Sequence, residues 1–126
     1  MSFFRSRWVE APAHVRELEP AALPAGFRAG AAEAGLKQPP GLDVGVLVAD
    51  SPDTVSAARF TSSSRLGAPV LVSKDAALDR LRGFVANSGG SNTGDGQRGI
   101  DTARATQEAA AEARARRESR GRHGVG

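Results

Sequence analysis

The sequence predicts an α/β fold of the α+β type, with a mainly antiparallel sheet and helices at about 75–82 and 100–117. Two observations carry this. Short β-rich runs at Asp43–Ala49, Val55–Thr61, Ala68–Ser73 and Phe84–Ala86 are separated by turn residues rather than by long helices. Helical spacing is confined to Asp75–Arg82 and to an alanine-rich stretch from Ile100 onward, so the chain lacks the strand–helix alternation of a parallel sheet.

In order, residues 1–25 mix Pro12, Pro20 and Pro24 with alanine and charges, and read as an irregular arm with one helical turn near His14–Leu18. Gly26–Gly30 leads into Ala31–Leu36, an extended segment or a short helix, before Pro39-Pro40-Gly41 forces a break. Asp43–Ala49 is a strand, Asp50-Ser51-Pro52-Asp53 a turn, and Val55–Thr61 the returning strand of a hairpin. Ala68–Ser73 reads as a third strand with proline near its start, where an edge tolerates it. Ser73 then caps a helix over Asp75–Arg82, acidic early and basic late as the helix dipole favours. Phe84–Ala86 is a fourth strand, and Ile100–Arg117 a helix whose apolar face (Ile100, Ala103, Ala110, Ala113) is weak.

Composition narrows function. The chain has 126 residues, one domain's worth, and its 40% hydrophobic content is largely alanine with six aromatics, so the core is thin and a partner or further sequence is expected. Absence of cysteine excludes disulfides and thiolate chemistry, and His14 and His123 lack neighbours at metal-ligand spacing, so no metal is expected. No apolar leader follows Phe3-Phe4, and no run is long enough to span a bilayer, so a soluble cytoplasmic protein without membrane association is expected. The net charge of +3 resides in residues 112–126, where five arginines face two glutamates. This basic tail carries no aromatics to stack on bases, which argues for a solvated, disordered end over nucleic-acid binding. The domain limits are therefore 1–25 (arm), 26–111 (folded part) and 112–126 (tail).

The polar stretch Val85–Gly99, with five glycines, is the first place to look for function. Within it Gly94-Asp95-Gly96-Gln97-Arg98-Gly99 matches Gly-x-Gly-x-x-Gly, the pattern that cradles a pyrophosphate at a helix N-terminus. Seven residues separate the preceding strand from the first glycine, and no acid-tipped strand follows, so nucleotide binding stands as an alternative, beside nucleic-acid binding by the arginine-rich tail.

A longer pattern is more specific. Gly26-Phe27-Arg28-Ala29, Ala34-Gly35-Leu36-Lys37, Asp43–Asp50, Phe60-Thr61, Ala68–Ser73 and Val85-Ala86-Asn87-Ser88-Gly89, in this order, resemble the ornithine acetyltransferase (bifunctional glutamate N-acetyltransferase) family of arginine biosynthesis over about residues 24–112. The resemblance implies acetyl transfer from N-acetylornithine, or from acetyl-CoA as a substrate, to glutamate, with no cofactor. It further implies a threonine nucleophile freed by self-cleavage, an oxyanion loop Thr-Gly-Val-Ile-Gly, and α and β chains assembled as a heterotetramer.

Here Asn87, Ser88 and Gly89 match that family's loop well, and Asn92, Thr93 and Gly94 match it loosely. Only Gly124 falls where the oxyanion glycine would be, with His123 in place of the threonine. The Asn-Met-Ala segment that precedes the nucleophile does not occur, and none of Thr54, Thr61, Thr93, Thr102 and Thr106 is expected to act as one. The resemblance thus implies an N-terminal, α-chain-like fragment, as a truncated or frame-shifted gene would give, inactive alone and completed by a β chain or the missing C-terminal half.

Overall fold

The computed structural model describes residues 12–16, 18–19, 22–90 and 93–122. Three strands and two helices follow one another as β1 (Phe27–Ala32), β2 (Val44–Ala49), α1 (Ala68–Lys74), β3 (Gly83–Asn87) and α2 (Gly96–Arg122). The sheet has the order β1-β2-β3 and is antiparallel throughout, so the mixed α/β class with an antiparallel sheet holds. β2 is the central strand. Phe27 to Ala32 pair with Ala49 to Val44 on one side, and Gly83 to Asn87 with Val48 to Val44 on the other.

The partners of β2 differ from the predicted hairpin. Residues 54–60 form no strand, and Val55 is 86% exposed. The reason is local: Ser56 ties this segment to the turns at 77–81 instead. Its hydroxyl donates to the Leu78 carbonyl (2.8 Å) and accepts the Leu81 N–H (2.7 Å), and its own N–H reaches the Asp79 carbonyl (3.2 Å). The place beside β2 goes to β1 (Phe27–Ala32), which shares only Ala31 and Ala32 with the stretch 31–36 read as extended or helical.

The middle helix is displaced. Residues 68–73, read as a strand, lie in α1, while 75–82, read as a helix, hold turns and bends. Pro69 suits a helix's first turn as well as a strand's start, because the N–H it lacks would have no helical partner there. Burial decides between the two. Ala68 and Val72 lie four residues apart and are buried together, a helical spacing that a strand would send to one face only with every second residue between them. Asp75 then ends α1, its N–H turning back to the Ser73 and Val72 carbonyls.

α2 extends beyond the predicted limits at both ends. It begins at Gly96, inside the glycine-rich stretch, and continues to Arg122, through most of the segment expected as a tail. Its 27 residues span about 40 Å. The C-terminal turns carry Arg116–Glu112 (3.1 Å) and Arg114–Glu118 ion pairs at helical spacing, each adding a few tenths of a kcal/mol in isolated helices. At its N-terminal half α2 packs on α1, with Arg104 reaching Asp75 (3.7 Å).

The core is small. Its fully buried apolar residues are Ala49, Ala68 and Val72, and no large side chain among the described residues is completely enclosed. In the arm, a turn closed by Val15 N–H to the Pro12 carbonyl (2.9 Å) sits at 12–15 rather than 14–18.

β3 begins with a steric requirement. A Cβ on Gly83 would run into the Leu47 carbonyl oxygen and stand 3.3 Å from Val48 Cα, both backbone atoms of β2. Gly83→Ala is therefore expected to destabilise the chain by about 1–3 kcal/mol in urea titration, by prising β3 from β2.

Candidate functional site

The polar loop after β3 occupies residues 88–95, between the end of the sheet and the start of α2. Three features hold its first half. Asn87 closes β3 opposite Val44, and the Ser88 N–H donates to the Asp43 carbonyl (2.8 Å). Gly89 follows with φ of 91°, the left-handed region that favours glycine. A Cβ there would lie 2.5 Å from Lys37 Cβ and 2.7 Å from the Leu36 carbonyl oxygen, so the loop rests directly on the Leu36–Lys37 backbone.

That backbone is in turn held by Asp43. This is the one buried polar residue among those described, 4% exposed at the head of β2. Its carboxylate accepts the N–H of Ala34 (2.6 Å), Leu36 (2.5 Å) and Lys37 (3.3 Å), folding the β1–β2 connection over itself. The Ala34 bond is the largest influence on its ionisation and lowers its pKa below the usual carboxylate value. Burial opposes this, while the Leu36 and Lys37 N–H groups and the Lys37 ammonium reinforce it.

The second half of the loop leans on the helices. Thr93 Oγ1 lies 3.4 Å from where a Cβ on Gly67 would stand, at the N-cap of α1. Gly94, with φ of 93°, then turns the chain into α2. Among the described residues, Asn87, Ser88 and Gly89 thus lie against the sheet end and the Leu36–Lys37 backbone, while Thr93 lies beside the N-cap of α1 and Gly94 at the entry to α2. Asn92, Gly124 and His123 lie outside the described residues.

The other candidate features fall apart in space or in chemistry. Gly96 and Gly99 belong to α2, and an open depression of ≈ 530 Å³ beside its first turns is lined by Asp95, Arg98, Gly99 and Thr102. The strand before it, β3, is antiparallel to its neighbour, and no described strand follows α2, so the parallel β-α-β frame of a dinucleotide site is not built here. The hydroxyls of Thr102 and Thr106 donate back to the Arg98 and Thr102 carbonyls (2.9 Å each), and Thr61 accepts the Ser63 N–H (3.1 Å). None of these bonds is to a base that could activate a nucleophile. Among the described residues no three His, Asp or Glu side chains gather to hold a metal ion, and no helix is long and apolar enough to cross a membrane.

Asp43 was not singled out from sequence as a site residue. Its signal was present: an acid heading the apolar run Val44–Ala49, directly after a Pro-Pro-Gly-Leu turn, is placed where only buried N–H groups can satisfy it.

Comparison with known proteins covers this same region. The sequence profile of the ArgJ family matches residues 28–121. The arginine biosynthesis bifunctional protein ArgJ of Mycobacterium tuberculosis is 40% identical over 91 residues, and that of Thermobifida fusca 42% identical over 86. Those matches cover 71% and 68% of this chain but only 22% of each relative. Among solved structures, ornithine acetyltransferase from M. tuberculosis, complexed with ornithine, superposes with a TM-score of 0.61 at 38% identity, covering 66% of this chain and 44% of that one. The ArgJ protein of Bacillus halodurans gives 0.63 at 32% identity, over 70% and 46%.

The lowered pKa of Asp43 has a definite sign. A carboxyl with a lower pKa in the folded state stabilises that state above its ordinary value, and this contribution fades as pH falls through that value, 3.8, and below. Asp43→Asn is expected to lower Tm near neutral pH. The gap from the wild type should narrow steadily in thermal melts taken at decreasing pH through that range.

Proposed function

Because the chain belongs to the ArgJ family, we propose that it supplies the N-terminal, α-chain-like part of an ornithine acetyltransferase. In this reading the complete enzyme moves an acetyl group from N-acetylornithine, or from acetyl-CoA, to glutamate in arginine biosynthesis. It does so in the cytoplasm and without a cofactor. The observation that carries it is the superposition on an ornithine acetyltransferase at 38% identity over 66% of this chain.

The chain's own contribution is a scaffold. Asn87, Ser88, Gly89, Thr93 and Gly94 form a loop with defined backbone geometry, and no described threonine is paired with a base. Acyl transfer needs an activated nucleophile, so the 126 residues alone do not turn over substrate. A β chain, or the remainder of the same polypeptide, supplies the nucleophile, with heterotetramers as the assembled state.

The surface supports a partner. Phe27 and Phe84 share one face of the sheet by register and are 37% and 60% exposed.

The test is a chimera in which residues 28–112 replace the corresponding segment of the M. tuberculosis ArgJ protein, assayed beside the 126-residue chain. The chimera is expected to transfer acetyl from N-acetylornithine to glutamate, and the isolated chain to give none. A folded chimera without activity would contradict the assignment, and multiple turnovers by the isolated chain would contradict its dependence on a partner.

A further inference from the structure

We infer that Asp43 is a positioning residue for the start of the loop at 88–90, acting through the Leu36–Lys37 backbone rather than by side-chain contact with the loop. The inference rests on the reading of that loop as the functional one.

Two connections, distant in sequence, meet at one residue. The side chain of Asp43 gathers three N–H groups from 34–37, and its main-chain carbonyl takes the Ser88 N–H. The Leu36–Lys37 backbone so fixed is the surface on which Gly89 sits, close enough that a methyl group would overlap both residues. The loop therefore inherits its starting direction from a carboxylate it does not touch. A simple turn would need none of this, since Asn, Ser and Gly satisfy a turn from their own side chains and dihedral freedom. Here the glycine's left-handed φ and the absence of its Cβ are both required by a neighbour held in place from below.

If the two connections are coupled, the coupling is reciprocal: loosening either one must loosen the other by the same free energy. Backbone amide hydrogen exchange, followed by NMR on the full chain, reads this residue by residue for the wild type, Asp43→Asn and Gly89→Ala. Asp43→Asn is expected to speed exchange by roughly tenfold or more at Ala34, Leu36, Lys37 and Ser88, whose N–H groups are all hydrogen-bonded. The β1–β2 amides of Arg28 and Val48 should keep their wild-type rates. Gly89→Ala should speed exchange at Ala34, Leu36 and Lys37, although it leaves Asp43 intact.

Acceleration confined to 34–37 in Asp43→Asn, with Ser88 unchanged, would overturn the inference. So would uniform acceleration across the sheet, which would make Asp43 a general stability residue. If Asp43→Asn does not fold, Gly89→Ala decides alone: wild-type rates at 34, 36 and 37 would overturn the inference, and faster ones would support it. The readout is conformational, so an inactive chimera would count against the enzymatic reading and leave this result unaffected.

Discussion

A buried carboxylate is costly unless its oxygens are met, and the architecture around β2 follows from how Asp43 meets that demand. Three N–H groups converge on it from a connection containing two consecutive prolines, a segment that could make no ladder bonds of its own with them. The result is a folded cap on the β1–β2 end of the sheet. Ser88 and Gly89 are laid across that cap as they leave β3, and from there the loop runs to α1 and α2. A polar group with few apolar neighbours thus does much of the organising that a large core would do elsewhere.

That division of labour suits the composition. Alanine packs closely but buries little area, and the buried residues of α1, the helix that packs on α2, are Ala68 and Val72. α2 itself is polar on most of its circumference, held by ion pairs within the helix and by Arg104–Asp75 across to α1. The sheet is apolar on both faces by register: Val44, Val46 and Val48 on one, Phe27, Leu47 and Phe84 on the other. Two apolar faces belong to a sheet covered on both sides, and one helical layer can cover only one. This chain spans 22% of the length of the relatives it matches.

Much of this was legible in the residues. The strand at 44–49, the short strand near Phe84–Ala86 and the long C-terminal helix were visible because each carries an unambiguous local pattern. The loop at Asn87–Gly94 was visible through its glycines and through its likeness to a known family. What was hidden depended on contacts between distant segments. Val70, Leu71 and Val72 favour a strand locally, yet they lie in α1, where Ala68 and Val72 are buried one helical turn apart. Val55–Thr61 alternates like a strand, yet a single hydroxyl, that of Ser56, binds it elsewhere. Asp43 read as the polar start of a strand, and its three N–H partners come from six to nine residues upstream, in a segment without a regular pattern.

The central claim is that this fold is one layer of a larger acetyltransferase architecture, and association tests it most directly. The 126-residue chain would be titrated by isothermal calorimetry against the M. tuberculosis ArgJ protein lacking its corresponding N-terminal segment. Saturable one-to-one binding with a negative heat-capacity change is expected, since apolar sheet surface is removed from water on docking. The absence of binding between two folded partners would contradict the claim and leave the exposed faces of the sheet without an occupant.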